Sequence, residues 1–568
     1  MQSLVRYLPF SPTRLGDRLG GGVYSLLRNN PSSPLPRDEE GLDSDDDIAN
    51  EKFASQRWPS WRRIPTLLFR LIAALYLKFL LLFIPSFIPA LYHRIRRSPP
   101  AERKKLSATA YLDGLRGVAA LVVYIFHYTY LWFPILRHGW GSSEKPGEDL
   151  LFWQLPVIRV LHSGRASVTI FFVISGYVLT IKTLTLIHQH KGGENGKVLD
   201  ALSGSLFRRP FRLYLPILVS TGIAAIMVRF DRQYHIYQEG APPFANNMSD
   251  QFWHWVHMTL DMANPFRSVV ARQNLFNNAY NEHLWTIPVE FKGSLLVFVL
   301  LLAFCRTRTW LRLAGVAGAG YWQMVSGDSD QTLFCAGLLL AELSILLPPH
   351  NFVYSGNKWL VRHGVTVIMF LVAVHFMSYP ENFGPKSPGF RSLSASSLLP
   401  KFYTGNEERT QQFWISVGSI IFILALMYSP PLRQVQQVGG GEEKEQQQPL
   451  LQRLFTNGFA QYLGHISYSL YLWHGVINHI VGMRYLHPAW DVLQAKEIGA
   501  QSLEEGEFLA EAASVRAASM LAYFWKWVPA MILNTFVLFW VSDVFNRLVD
   551  VNAVKLTRRI GNWAMAKS

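Results

Sequence analysis

Ten separate apolar runs punctuate this chain, and they constrain its fold more than any other feature. They fall at 112–133, 166–187, 211–230, 284–304, 309–326, 331–348, 358–377, 412–430, 457–483 and 524–546. Each approaches the ~20 residues that an α-helix needs to cross a bilayer. Backbone amides in hydrocarbon have no water to bond, so each run must close its own hydrogen bonds as a helix. The expected fold is therefore an all-α, polytopic membrane helix bundle of about ten transmembrane helices. Composition agrees, since 50% of the 568 residues are hydrophobic and only 16% are charged.

A formal net charge of +15 raises the question of nucleic acid. The basic residues lie in short clusters between the apolar runs, where they act as topology signals, so no nucleic-acid partner is expected. The two cysteines, Cys305 and Cys335, both fall in or beside predicted spans and imply no disulfide framework.

Four segments follow. Residues 1–63 are rich in Pro, Gly and Ser and carry the acidic run "RDEEGLDSDDD", which reads as a disordered tail of cytosolic type. Residues 64–105 hold an extra apolar stretch, 71–91, and a basic linker. Pro85 and Pro89 near its end argue against a straight crossing and make an interfacial or re-entrant helix an equal alternative. The membrane domain spans 106–547, and 548–568 form a basic C-terminal tail.

Basic clusters set the orientation. Arg94, Arg96, Arg97, Arg103, Lys104 and Lys105 precede the first helix, Arg208, Arg209 and Arg212 the third, while Arg306, Arg308 and Arg312 follow the fourth. Arg547, Lys555, Arg558 and Arg559 follow the tenth, and all four clusters fall on one side. Both ends of the ten-helix core are thus expected in the cytosol. Asn247-Met248-Ser249, an N-glycosylation triplet, falls on the opposite side, as do the acidic loop at 485–523 and the insertion at 378–411.

The first run, "YLDGLRGVAALVVYIFHY", carries ionisable groups among apolar ones. Arg116 and His127 are eleven residues apart, about three turns, so they share a helical face about 16 Å apart along the axis. Glu290 sits about six residues inside the outer end of the fourth run and His127 about six inside that of the first, which predicts a pair at similar depth. A lone intramembrane histidine is often a core residue, and Arg116 could be a border residue paired with Asp113. Together these groups point to a substrate path or proton chemistry, since buried ionisable groups are costly in a membrane.

Six segments, "YLDGLRGVAALVVYIFHY", "FFVISGYVLT", "LFRRPFRLYLP", "HLWTIPVEF", "LFCAGLLLAEL" and "LGHISYSLYLWHG", occur in this order between Leu106 and Arg547. Together they resemble the successive signatures of the acyltransferase-3 family of integral-membrane acyltransferases. The resemblance implies ten core helices and transfer of an acyl group, often acetyl, from acyl-CoA on the cytosolic side to a hydroxyl of a sugar or other small molecule. Acyl-CoA is then a co-substrate, and no cofactor is permanently bound. The last helix departs from the family pattern, with Asp543 where members commonly carry Glu, and that end is assigned no role.

Within this reading His127 is the general base, because a hydroxyl needs one to attack a thioester near neutral pH. Glu290 would orient the imidazole. Arg116, Arg208 and Arg212 offer guanidinium forks to the donor's phosphates. Ser175 and Tyr177 would line a polar cavity, Trp285 stands beside Glu290, and His474, Ser467 and Tyr468 are further pocket candidates. No pair among these last has metal-ligand spacing, so no metal is expected. The competing reading is a proton-coupled transporter relaying protons through His127 and Glu290, but the internal repeats expected of one are not evident.

The topology is directly testable: single-cysteine accessibility labelling should place residue 247 and the Arg208 region on opposite sides of the membrane. Labelling that puts them on one side overturns it.

Overall fold

The computed structural model describes residues 83–88, 106–143, 149–189, 195–230, 244–264, 278–349, 356–431, 448–505 and 509–565. The tail at 1–63 and most of the 64–105 segment lie outside these residues.

All ten expected helices are present. They are α1 (Ala110–Trp132), α2 (Gly164–Gln189), α3 (Asn195–Phe230), α5 (Thr286–Phe304), α6 (Thr309–Val325), α7 (Ser329–Leu346), α8 (Gly356–Met377), α9 (Glu407–Met427), α10 (Gly458–Ile477) and α12 (Leu509–Phe545). Three more join them: α4 (Met248–Met262), α11 (Arg484–Glu505) and α13 (Val551–Ala564). No strand occurs among the described residues, which show three isolated bridges. Among the described residues, eight helical segments are long and apolar enough to cross a membrane. The other two expected spans are α6, with 17 residues, and α10, whose interior carries Gln461, His465 and His474.

Lipid contact is written on the surface. α8 exposes Leu360, Val361, Val365, Ile368 and Leu371, a row that water would not tolerate but acyl chains would. Inside, small residues let helices touch where hydrocarbon supplies no hydrophobic drive. A Cβ on Gly176 would come within 2.3 Å of the Phe334 carbonyl, and one on Gly337 within 2.3 Å of the Val173 carbonyl, so α2 and α7 meet backbone to backbone.

Up–down alternation shows in which helix ends meet. His188 late in α2, Arg312 early in α6 and Glu342 late in α7 form one buried ionic group, with Glu342 Oε1 2.7 Å from His188 Nε2 and 2.5 Å from Arg312 Nη2. At the opposite ends Val157 donates to Ser378 Oγ and Arg165 reaches both Glu381 and Glu408. The 378–411 insertion accordingly folds onto the 134–163 loop, where Glu381 and Asn382 both donate backbone N–H to the Arg137 carbonyl.

Three expectations change. The basic cluster Arg208, Arg209 and Arg212 lies inside α3 rather than before it, because the helix starts at Asn195 and carries Pro210 and Pro216 within it. The expected acidic loop at 485–523 is largely helical, since α10 runs through a π-turn at Asn478–Met483 into α11, and α12 begins at Leu509. Asp543, left without a role, accepts from Ser86 N at 3.0 Å and Ser86 Oγ at 2.5 Å and pairs with Arg547 at 2.9 Å. It clasps Phe83–Ile88 against α12.

His162 stabilises the 134–163 loop in its neutral form. Its Nε2 donates to the Trp153 carbonyl at 2.8 Å and its Nδ1 accepts from Tyr130 OH at 2.9 Å. Burial lowers its pKa from 6.5 to about 4. The unfolded loop therefore takes up a proton that the folded loop refuses, and stability falls as pH drops from 6.5 toward 4. Hydrogen exchange in residues 149–163 should accelerate across that window, and His162→Gln should flatten the pH dependence.

Candidate active site

Gly114 and Gly117 bring α1 against the start of α10. A Cβ on Gly117 would lie 2.1 Å from Gly464 N, and one on Gly464 would lie 2.4 Å from the Asp113 carbonyl. From that crossing, α1 carries His127 and α10 carries His474 up the same seam. A short 3-10 turn, Glu282–Trp285, supplies the third ring, His283, just before α5.

This turn is held by hydrogen bonds to α10. Asn281 accepts from His283 N at 3.2 Å and donates to the Leu472 carbonyl at 2.8 Å. The Tyr471 hydroxyl donates to the His283 carbonyl and accepts from Thr286 Oγ1 at 2.6 Å. Ring centroids are 3.8 Å apart for His127 and His283, 4.5 Å for His283 and His474, and 5.3 Å for His127 and His474. His474 Nδ1 lies 2.6 Å from the Tyr471 carbonyl. A carbonyl can only accept, so Nδ1 carries the proton and Nε2 faces the cluster with its lone pair. His283 and His474 are buried, and His127 is partly buried.

Glu290 belongs to a second group, deeper along α5. Its Oε1 accepts from Arg209 Nη2 at 2.7 Å and from Ser175 Oγ at 3.1 Å. Arg209 Nε donates to Ser294 Oγ at 2.9 Å, and Ser294 donates to the Glu290 carbonyl at 2.7 Å. The expected His127–Glu290 pair does not form. Depth was counted from the helix ends, but the residue at the level of His127 is His283. Glu290 lies seven residues further on, roughly 10 Å at helical rise.

The other expected site residues divide. Arg116 donates to Ser467 Oγ at 3.0 Å and the Gly464 carbonyl at 3.3 Å, and pairs loosely with Asp113 at 3.6 Å. Arg212 shares electrostatic surroundings with Arg116, Arg209 and Asp550. Ser175 joins the Glu290 group. Tyr468 hydrogen-bonds the Leu213 carbonyl at 2.6 Å and ties α10 to α3.

Tyr177 points away from both groups, donating to Ser344 Oγ at 3.2 Å on α7. The stem of Arg208 packs over Gly561 of α13, where a Cβ would meet its Cγ and Cδ at 3.1 Å. Trp285 is half-buried against the larger apolar core. Two central residues, His283 and Arg209, were passed over in the sequence although both stand inside quoted motifs. His283 opens "HLWTIPVEF", and Arg209 is the middle basic residue of "RRPFR".

A family model described as an acyltransferase domain matches residues 109–547. The chain belongs to the acyltransferase-3 family. It is a multi-pass membrane acyltransferase, and the family match covers the imidazole cluster and the Arg209–Glu290 group alike. The chain is 32% identical over 421 residues to the O-acetyltransferase PaAT-1 of Phomopsis amygdali, covering 68% of this chain and 76% of that one. It is 25% identical over 439 residues to acyltransferase R4 of a Phoma species, covering 68% and 86%. A putative O-acetyltransferase of Staphylococcus aureus is 23% identical over 403 residues, covering 67% and 53%. No solved structure matches. The expectation of an O-acyltransferase agrees with these findings, and transport loses its standing as the competing reading.

A double-mutant cycle tests the geometry. Arg209→Ala leaves a largely buried carboxylate unpaired and should cost about 3–5 kcal/mol in thermal unfolding of the detergent-solubilised protein. Glu290→Gln should then cost much less in the Arg209→Ala background than alone. His127→Ala and Glu290→Gln should add within about 0.5 kcal/mol; strong coupling between them would restore the discarded pair.

Proposed function

We propose that the protein transfers an acetyl group from acetyl-CoA to a hydroxyl of a sugar or other small molecule, with His127 as general base. The observation that carries this reading is the asymmetry of the imidazole cluster within the acyltransferase domain. His283 and His474 are buried, whereas His127 is the one ring of the three that keeps some exposure. The relatives' names, two of them O-acetyltransferases, support acetyl and oxygen as the transferred group and the accepting atom.

The chemistry follows from the residues. His127 takes the acceptor's hydroxyl proton as the oxygen attacks the thioester carbonyl. A C–O bond forms, the C–S bond breaks, and the proton returns to the departing CoA sulfur. His283 and His474 fix the place of His127 by packing. Glu290 instead holds Arg209, so it positions a guanidinium rather than an imidazole. Arg116 and Arg212 stand on the side of the basic clusters, where guanidinium groups can meet the donor's phosphates. Arg116 lies roughly 16 Å along α1 from His127, a separation that an extended pantetheine arm spans. With both ends of the core in the cytosol, donor enters from that side and acceptor from the side of the 134–163 and 378–411 loops.

Purified protein in lipid, given labelled acetyl-CoA and hydroxylated acceptors, should yield acetylated product by mass spectrometry. His127→Ala should keep its fold and lose about 10²- to 10⁴-fold in turnover while binding donor almost normally. Arg116→Lys and Arg116→Ala should weaken donor binding in that order. Near-normal turnover by His127→Ala would overturn the assignment of the base.

A further inference from the structure

The imidazole cluster has a property that a base alone does not require. One ring nitrogen from each of His127, His283 and His474 lies within 4.8 Å of the other two. We propose that these three side chains bind a Zn²⁺ ion and that an occupied site blocks acyl transfer, an inference that rests on His127 acting as a free base.

Several observations converge on a metal. His474 Nε2 is buried and has no hydrogen-bond partner among the described residues, and an orphaned polar atom of that kind calls for a ligand. The other nitrogen of the same ring donates to a backbone carbonyl, the arrangement that orients zinc-binding histidines and fixes their tautomer.

The donors come from three separate stretches of backbone: α1, the Glu282–Trp285 turn and α10. Tetrahedral zinc, at about 2.0–2.1 Å from each nitrogen, would draw the three donors to roughly 3.4 Å from one another, a contraction that ring rotation can supply. An all-imidazole set suits zinc, copper or nickel and disfavours the oxygen-seeking magnesium and calcium. Three protein ligands leave a fourth position for water. The lone pair that would take the acceptor's proton is then spent on the metal.

The test uses the full-length protein in detergent, stripped with EDTA and titrated with Zn²⁺, and with Co²⁺ as a coloured probe. Metal analysis after gel filtration should find one ion per chain, and bound Co²⁺ should show the intense visible absorption of a four-coordinate site. His283→Ala and His474→Ala should each weaken binding by more than the ~10- to 100-fold that follows loss of an outer-shell partner. His474→Asn serves as a more conservative variant should the alanine form fail to fold. His487→Ala, which removes an exposed His487–Asp491 pair at 3.2 Å, should leave binding unchanged. Acyl transfer should fall as Zn²⁺ fills the site and return with EDTA.

Absence of stoichiometric binding, or binding that survives both His283→Ala and His474→Ala, overturns this proposal and leaves the acetyl-transfer reading intact. Transfer that rises with Zn²⁺ occupancy overturns the inhibition and the free-base reading of His127 together.

Discussion

The crossing of α1 over α10 is the contact on which the site depends. In a bilayer, apolar side chains gain nothing by leaving lipid for protein, so helices associate by close van der Waals contact and by satisfying polar groups. Gly114, Gly117 and Gly464 allow that approach, since any side chain there would collide with the facing backbone. The Arg116 guanidinium then reaches across to Ser467 and the Gly464 carbonyl. A fixed crossing sets the rotation of both helices, and rotation decides that His127 and His474 face one another three turns further along.

Above that crossing the ionisable groups sort into two layers joined by the eight-residue stretch His283 to Glu290. One layer is all imidazole, and the other pairs Arg209 with Glu290. Separating them keeps each soluble in a medium of low dielectric by a different device. The rings pack against one another, His283 stacked on His474 and His127 tilted against both, whereas guanidinium and carboxylate cancel and share the hydroxyls of Ser175 and Ser294. The buried triad of His188, Arg312 and Glu342 repeats the second device among α2, α6 and α7.

Much of this was legible in the sequence. Apolar run length gave the ten helices, because hydrocarbon leaves the backbone no alternative to a helix. His127, Arg116 and His474 could be singled out because ionisable residues are rare in such runs. What could not be read was rotation and relative height. Counting inward from helix ends put Glu290 beside His127, but the Asn281–Trp285 turn is recessed onto α10 by Asn281 and Tyr471, contacts between residues nearly two hundred positions apart. Tyr177 and Arg208 lie apart from both groups for a related reason: each shares a motif with a residue of one group but stands on another face of the helix. Length patterns also stopped short at α3, whose first turns are too polar to count as a span and are helical all the same.

One glycine closes the gap behind the rings. A Cβ at Gly475 would lie 2.4 Å from His283 Cδ2 and 3.3 Å from Asn281 Oδ1, so α10 and the recessed turn are separated by no more than a backbone's thickness. On that side the rings are closed off by backbone. Anything reaching His283 or His474 from the α10 side would have to displace backbone, and His127 is the ring of the three that retains some exposure. On the proposed function, selectivity among acceptors then falls to what surrounds His127 rather than to the two imidazoles packed behind it.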